Sequence, residues 1–180
     1  MYTMKKFFII LVAALAATLN LSAQDDWKHE LSISYGFGAF TDLSSSYLKG
    51  IFSGGKQTNY IGPFGIEYFY RTKSALGVGV VGTFSTCKWN ENNNARTKYM
   101  SIMPAIKYNW FNREHLSLYS KVALGVILGI DSGDDDNKTS ASLGWQASLV
   151  GAEFGSAFRG FIEVGCGEQG IILAGLRYKF

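Results

Sequence analysis

Residues 30–39 read ELSISYGFGA, and their alternation decides the fold. Leu31, Ile33, Tyr35, Phe37 and Ala39 fall on one side of an extended chain, with Glu30, Ser32, Ser34, Gly36 and Gly38 on the other, because successive side chains of a strand point to opposite faces. One face is greasy and its back is small or polar, so this strand separates two different solvents.

The same period recurs along the chain. Phe64, Ile66, Tyr68 and Tyr70, preceded by Tyr60, alternate with Gly65, Glu67 and Phe69; Leu76, Val78, Val80 and Phe84 alternate with Gly77, Gly79 and Thr83. Met100, Ile102, Ile106, Tyr108 and Trp110 oppose Ser101, Lys107 and Asn109; Leu116, Leu118, Val122, Leu124, Val126 and Leu128 oppose Tyr119, Lys121, Ala123 and Gly125. A sixth strand sets Leu143, Trp145, Ala147 and Leu149 against Gly144, Gln146 and Ser148, and a seventh sets Phe158, Ile162 and Val164 against Arg159, Glu163 and Gly165. The last sets Ile172, Ala174, Leu176, Tyr178 and Phe180 against Gly175, Arg177 and Lys179, which brings the count to eight. No stretch after the first 23 residues approaches 18 uninterrupted apolar residues, which excludes membrane-spanning helices there.

The connections alternate in length. Thr41–Thr58, Ser85–Arg96 and Gly129–Ser140 are long and polar, whereas Thr72–Ser74, Phe111–His115 and Gly155–Ala157 are short. That is the pattern of long outer loops and short periplasmic turns; the fourth outer connection, Gly167–Gly170, is brief. The structural rival is an exported soluble barrel. Against it stand aromatic residues at the ends of the apolar face, Tyr70, Tyr108, Trp110, Tyr178 and Phe180 at one level and Tyr60 and Phe84 toward the other, as in the girdles of membrane barrels. The fold expected is all-β, an eight-stranded antiparallel up-and-down transmembrane β-barrel.

The chain stops within its last strand, at Leu176-Arg177-Tyr178-Lys179-Phe180. In this terminal pattern and in strand layout it resembles the small outer-membrane β-barrel proteins of Gram-negative bacteria, the OmpA/OmpX type. The resemblance implies that Tyr178 and Phe180 form the signal read by the barrel-assembly machinery. It carries no catalytic or binding motif, because that family shares none.

Residues 1–23 have the grammar of a secretory leader: Lys5 and Lys6, an apolar run from Phe7 to Leu21, then Leu21-Ser22-Ala23 before Gln24, which predicts cleavage after Ala23 and a barrel domain over 24–180. The 17 Lys and Arg against 14 Asp and Glu give +3, of which Lys5 and Lys6 carry two, so nothing points to nucleic acid as a partner. Cys87 and Cys166 fall on the third and seventh strands, too far apart around a barrel to bond, and are expected unpaired.

Two irregularities are expected. Pro104 sits mid-strand, where its missing N–H should force a bulge. A second belongs near Val150 and Gly151, because strict alternation from Gln146 and Ser148 would turn Glu153 toward lipid.

With the apolar face outward, the lumen receives Glu30, Glu67, Lys107, Lys121, Arg159, Glu163, Arg177 and Lys179, joined by Glu153 if the bulge forms. An interior of this size is just filled by side chains, so an ion-pair network plugging the barrel is favoured over a narrow pore gated by Lys107, Lys121 and Glu163. The two histidines, His29 and His115, both map to the periplasmic rim, and no Ser-His-Asp grouping is evident, which disfavours the His-dependent catalysis known on lipid A-modifying barrels. Asp131, Asp134, Asp135 and Asp136 could attract Ca²⁺, although a solvated acidic loop is the simpler reading. Tyr47, Phe52 and Trp89 are the loop aromatics chosen for contact with an extracellular protein or glycan. The functional expectation is a monomeric surface-interaction protein, in contact with outer-membrane lipid and lipopolysaccharide, without cofactor or catalysis; a narrow pore or lipid-interacting barrel is the alternative, and a lipid A enzyme follows.

Overall fold

The structure is a computed structural model that describes residues 27–39, 59–72, 75–88, 96–132 and 138–180. The leader, Tyr47, Phe52, Trp89 and Asp134–Asp136 lie outside the described residues. Eight strands run in order: β1 His29–Phe37, β2 Asn59–Arg71, β3 Leu76–Lys88, β4 Arg96–Asn112, β5 Leu116–Ser132, β6 Lys138–Gly155, β7 Phe158–Gly167 and β8 Ile172–Lys179. Each pairs antiparallel with the next, and β8 returns to β1 to close the barrel. The seam runs from Glu30↔Lys179 to Phe37↔Ile172. At its foot His29 and Phe180 exchange both backbone hydrogen bonds, each at 2.9 Å, so the last residue completes the ladder.

The wall sorts as the alternation requires. Ile33, Ile66, Ile102, Leu124, Leu143, Leu149 and their neighbours are exposed on the outside, while Glu30, Glu67, Lys107, Lys121, Glu153, Glu163, Arg177 and Lys179 are buried within. Inside the barrel, Phe69, Val81, Met103, Ala105 and Ala123 pack as an apolar cluster on β2–β5. Ala39 departs from the expected outward face: β1 ends at Phe37, Gly38 turns the chain at φ 70°, and Ala39 is buried.

Three places break the register. The expected bulge in β6 is present: the β6–β7 pairing shifts between Ser148 and Val150, and that of β5–β6 shifts between Tyr119 and Lys121. Leu149 and Val150 both face outward as a result, and Glu153 returns to the lumen. The other two were not anticipated. Trp110 is an extra residue between Asn109↔Tyr119 and Phe111↔Leu118, so Trp110 and Phe111 both face outward. On β2 the register shifts between Ile61 and Phe64, at Gly62-Pro63, where Gly62 has φ 115°.

At Pro104 the expectation of a bulge is corrected. β4 pairs with β3 through Val80↔Pro104 without interruption. On the β5 side the pairing passes over Met103 and Pro104 and resumes at Ala105↔Ala123 in the register it left at Ile102↔Val126. Across the ladder Gly125 lies close, since a Cβ there would strike the Ile102 carbonyl and the Met103 Cα. The strand thus passes Pro104 by leaving two positions of one ladder unpaired, without an inserted residue.

The end carrying connections 40–58, 89–95 and 133–137 is the outer one, and there the strands run further than expected. β3 and β4 pair as far as Lys88↔Arg96, and β5 and β6 as far as Asp131↔Lys138. Asp131 therefore belongs to β5 and not to a loop. Polar residues such as Thr139, Ser140 and Ser142 look like loop because β6 is exposed on both faces there.

Deleting Leu149 removes the extra residue of β6 and turns Glu153 outward. The deletion should lower the unfolding free energy by at least about 2 kcal/mol, from the exposed carboxylate and its lost partners. Urea titration of the barrel in lipid vesicles, followed by tryptophan fluorescence, reads the shift.

Candidate functional site

The lumen is packed from its foot to its outer mouth. Arg177 on β8 occupies its middle: Nη2 lies 2.8 Å from Glu67 Oε2, Nη1 bonds Glu153, and the guanidinium rests against the Phe161 ring with its centre 4.4 Å away. Lys121 Nζ bridges Glu67 at 2.5 Å and Glu163 at 2.8 Å. Lys107 Nζ lies 2.6 Å from Glu30, bonds Glu153 and sits 4.2 Å above the Tyr119 ring. Lys179 Nζ reaches Glu153 at 2.7 Å and Glu30 at 3.3 Å.

Neutral groups fill the remaining positions. Tyr119 and Ser148 donate to the two oxygens of Glu163 at 2.5 and 2.6 Å, and Ser32 donates to Glu67 at 3.0 Å. Among the described residues the buried ionisable groups other than Tyr119 and Cys87 are Glu30, Glu67, Glu153, Glu163 and Glu168 against Lys107, Lys121, Lys179, Arg159 and Arg177. The two sets are equal in number, and the half-buried Arg71 adds a further cation at the foot, 3.6 Å from Glu30. Every lumen residue named from the sequence is brought into this one assembly.

Both mouths are closed. At the foot, Arg159 donates to the Ser117 hydroxyl at 2.6 Å and to the carbonyls of Ser156 and Glu114 at 2.8 and 2.9 Å, which ties together the two turns that flank it. At the outer end the brief β7–β8 turn folds inward. Gln169 Nε2 donates to Glu67 at 2.8 Å, Gln169 N donates to Gln146 Oε1 at 2.8 Å, and Glu168 is buried beside them. Gly36 makes room, since a Cβ there would collide with the Gln169 carbonyl, and Gly167 and Gly170 supply φ of 131° and 107°. The sequence reading missed this stopper; the paired glycines around two polar residues were the available signal.

The outer rim is uneven. β7 ends at Gly167 opposite Gln146, whereas β6 continues back to Lys138 with β5 as its partner. Thr139, Ser140, Ala141, Ser142 and Leu143 are all exposed, on both faces in succession. The Trp145 carbonyl accepts from Glu168 N at 3.0 Å and so points toward β7. The period of the strand turns the backbone groups of Leu143, Ala141 and Thr139 the same way, and among the described residues nothing pairs with them. Across the gap, β2 above Phe64 carries Pro63, which has no N–H to offer.

The expected histidines stand where the sequence put them. His115 is exposed in the β4–β5 turn. His29 Nδ1 is 2.7 Å from the Tyr68 hydroxyl, and its ring stacks on Phe180 at 5.4 Å beside Tyr70 at 5.3 Å. The rim aromatics thus form a contiguous group at the closing seam. Cys87 is buried in β3, Cys166 is exposed on β7, and no disulfide joins them.

An apolar outer wall surrounds a hydrogen-bonded interior, the pairing of β8 with β1 closes the ladder as a membrane requires, and an even number of antiparallel strands completes the description. The architecture is that of a bacterial outer-membrane barrel. No protein-family model matches the sequence, and no curated protein matches it either. Among solved structures the chain is similar to Ail, the attachment invasion locus protein of Yersinia pestis. Ail in complex with the heparin analogue sucrose octasulfate is 17% identical over 86% of this chain and 99% of that one, with a TM-score of 0.47. Its backbone structure in a phospholipid bilayer nanodisc is 18% identical over 86% of this chain and 100% of that one, with a TM-score of 0.45.

Replacing Glu67 by Gln leaves Lys121 and Arg177 each short of a charge partner in a sealed interior. Breaking a buried pair in this way costs about 3–5 kcal/mol. The temperature at which the folded, fast-migrating gel band gives way to the unfolded one should fall for Glu67→Gln, and should fall less for the paired variant Glu67→Gln with Lys121→Met.

Proposed function

We propose that the protein is a monomeric outer-membrane surface protein that presents its raised β2–β6 rim and outer connections to extracellular protein or glycan, on a barrel that conducts nothing. The observation that carries this reading is the division between a lumen closed at both mouths and a sheet that rises beyond it. A pore would need space along the axis, where Arg177, Tyr119, Phe69 and Lys107 are all fully buried. A sheet edge with unpaired N–H and C=O groups, by contrast, is a template for an added strand. Most such edges are blunted by Pro or charge, as Pro63 does on β2, but from Thr139 to Gly144 β6 carries neither.

Within this proposal the wall contacts outer-membrane lipid and its outer rim contacts lipopolysaccharide. Tyr178 and Phe180 serve as the assembly signal, residues 1–23 are removed on export, and no cofactor or catalytic step is involved. Tyr47, Phe52 and Trp89, in the connections 40–58 and 89–95, are the contact aromatics of this proposal.

The test compares cells displaying the wild-type protein with cells displaying Ala141→Pro, which removes a donor from the open side of β6 and spares the ladder to β5. Attachment to immobilised extracellular-matrix protein is expected to fall several-fold with Ala141→Pro while the heat-dependent gel shift stays unchanged; equal attachment would remove the strand edge from the proposal. In planar bilayers the purified protein should show no steady conductance. N-terminal sequencing of the protein recovered from outer membranes should begin at Gln24.

A further inference from the structure

The charges of the lumen are sorted by strand. Carboxylates stand on β6 (Glu153), β7 (Glu163), β1 (Glu30) and β2 (Glu67), the two strands on either side of β8 in the closed order. Lys107 and Lys121 stand on β4 and β5, across the barrel, and β8 itself carries Arg177 and Lys179. Arg177 reaches one carboxylate from each of the four flanking strands. Nη1 bonds Glu153, Nη2 lies 2.8 Å from Glu67 and 3.8 Å from Glu163, and Nε lies 3.9 Å from Glu30.

β8 is also the strand whose docking closes the barrel. Its pairing with β1 joins the two ends of the mature chain, the contact with the largest loop-closure cost, and at eight residues it has little ladder of its own to drive it. Before it docks, four carboxylates converge on a space whose other cations are Lys107, Lys121, Arg159 and, at the foot beside Glu30, Arg71. Lys107 and Lys121 each join one carboxylate from either side of the gap that β8 fills, whereas Arg177 contacts all four, so docking of β8 adds ion pairs to both sides at once.

We propose that Arg177 is an electrostatic latch for barrel closure: by hydrogen-bonding Glu153 on one side and Glu67 on the other, with Glu163 and Glu30 in ion-pair range beside them, it draws β8 into register and makes closure, not wall formation, depend on one side chain. Lys179, bonded to Glu30 and Glu153, holds the same seam one step nearer the foot.

The experiment follows two cross-links during folding of the full mature chain into phospholipid vesicles, in a background with Cys87 and Cys166 replaced by Ala. One cysteine pair, Ile33→Cys with Leu176→Cys, spans the β1–β8 seam; the other, Ile106→Cys with Val122→Cys, spans β4–β5. With Arg177→Met the seam cross-link should form about tenfold more slowly while the β4–β5 cross-link keeps its rate, because the lost contacts act on the closing step. Lys121→Met, which removes an equally buried cation from β5, should not delay the seam relative to β4–β5. If Arg177→Met never closes, a β4–β5 cross-link formed at the wild-type rate in the open chain supports the latch, and its absence overturns it. Equal slowing of both cross-links by Arg177→Met, no slowing of either, or the same selective delay with Lys121→Met would also overturn it.

Discussion

Hydrocarbon offers no hydrogen bonds, so every backbone N–H and C=O that enters it must find its partner in the protein. The rest of this molecule follows from that constraint. It requires β8 to return to β1 and Phe180 to bond His29, and it makes the wall one residue thick with lipid on one side. Each strand then has a single inner face, and whatever that face carries must fit a space about as wide as the side chains themselves. Arg177, Tyr119, Phe69 and the three lysines fill it.

Why the interior is charged at all is a separate question. Buried ion pairs are weak evidence of stability, since well-packed apolar residues often serve as well. Transport supplies a physical reason. β6 is 18 residues long, and a segment of that length with apolar residues on both faces reads as a membrane-spanning helix. Polar residues at alternate positions keep β6 from reading as such a helix. Once folded, these residues have to neutralise one another, and the equal numbers of buried acids and bases show that they do.

The period of two made the wall and the lumen legible from sequence, because parity alone assigns a face. Parity fails wherever a residue is inserted. The insertion near Val150 could be inferred because Glu153 lay beyond it and had only one tolerable direction. No charge followed Gly62-Pro63 or Trp110 closely enough to betray the shift. Pro104 misled for the opposite reason: the cost of its absent donor is local, a gap at two positions of the β5 ladder, while the pairing with β3 runs on unbroken. The Glu168–Gln169 turn was read as a surface loop because two polar residues between strands ordinarily are one. Its inward fold depends on Gly36 and Gln146, far away in the chain, and no local pattern encodes that.

The unequal strand lengths give the outer end a high side and a low side. Among the described residues, the outer end is less a ring than a screen standing at the edge of a shallow step, with the β7–β8 turn as its floor. Contacts made on the screen therefore have a compass direction within the membrane plane, and two such proteins side by side present different profiles according to how each is rotated about its axis.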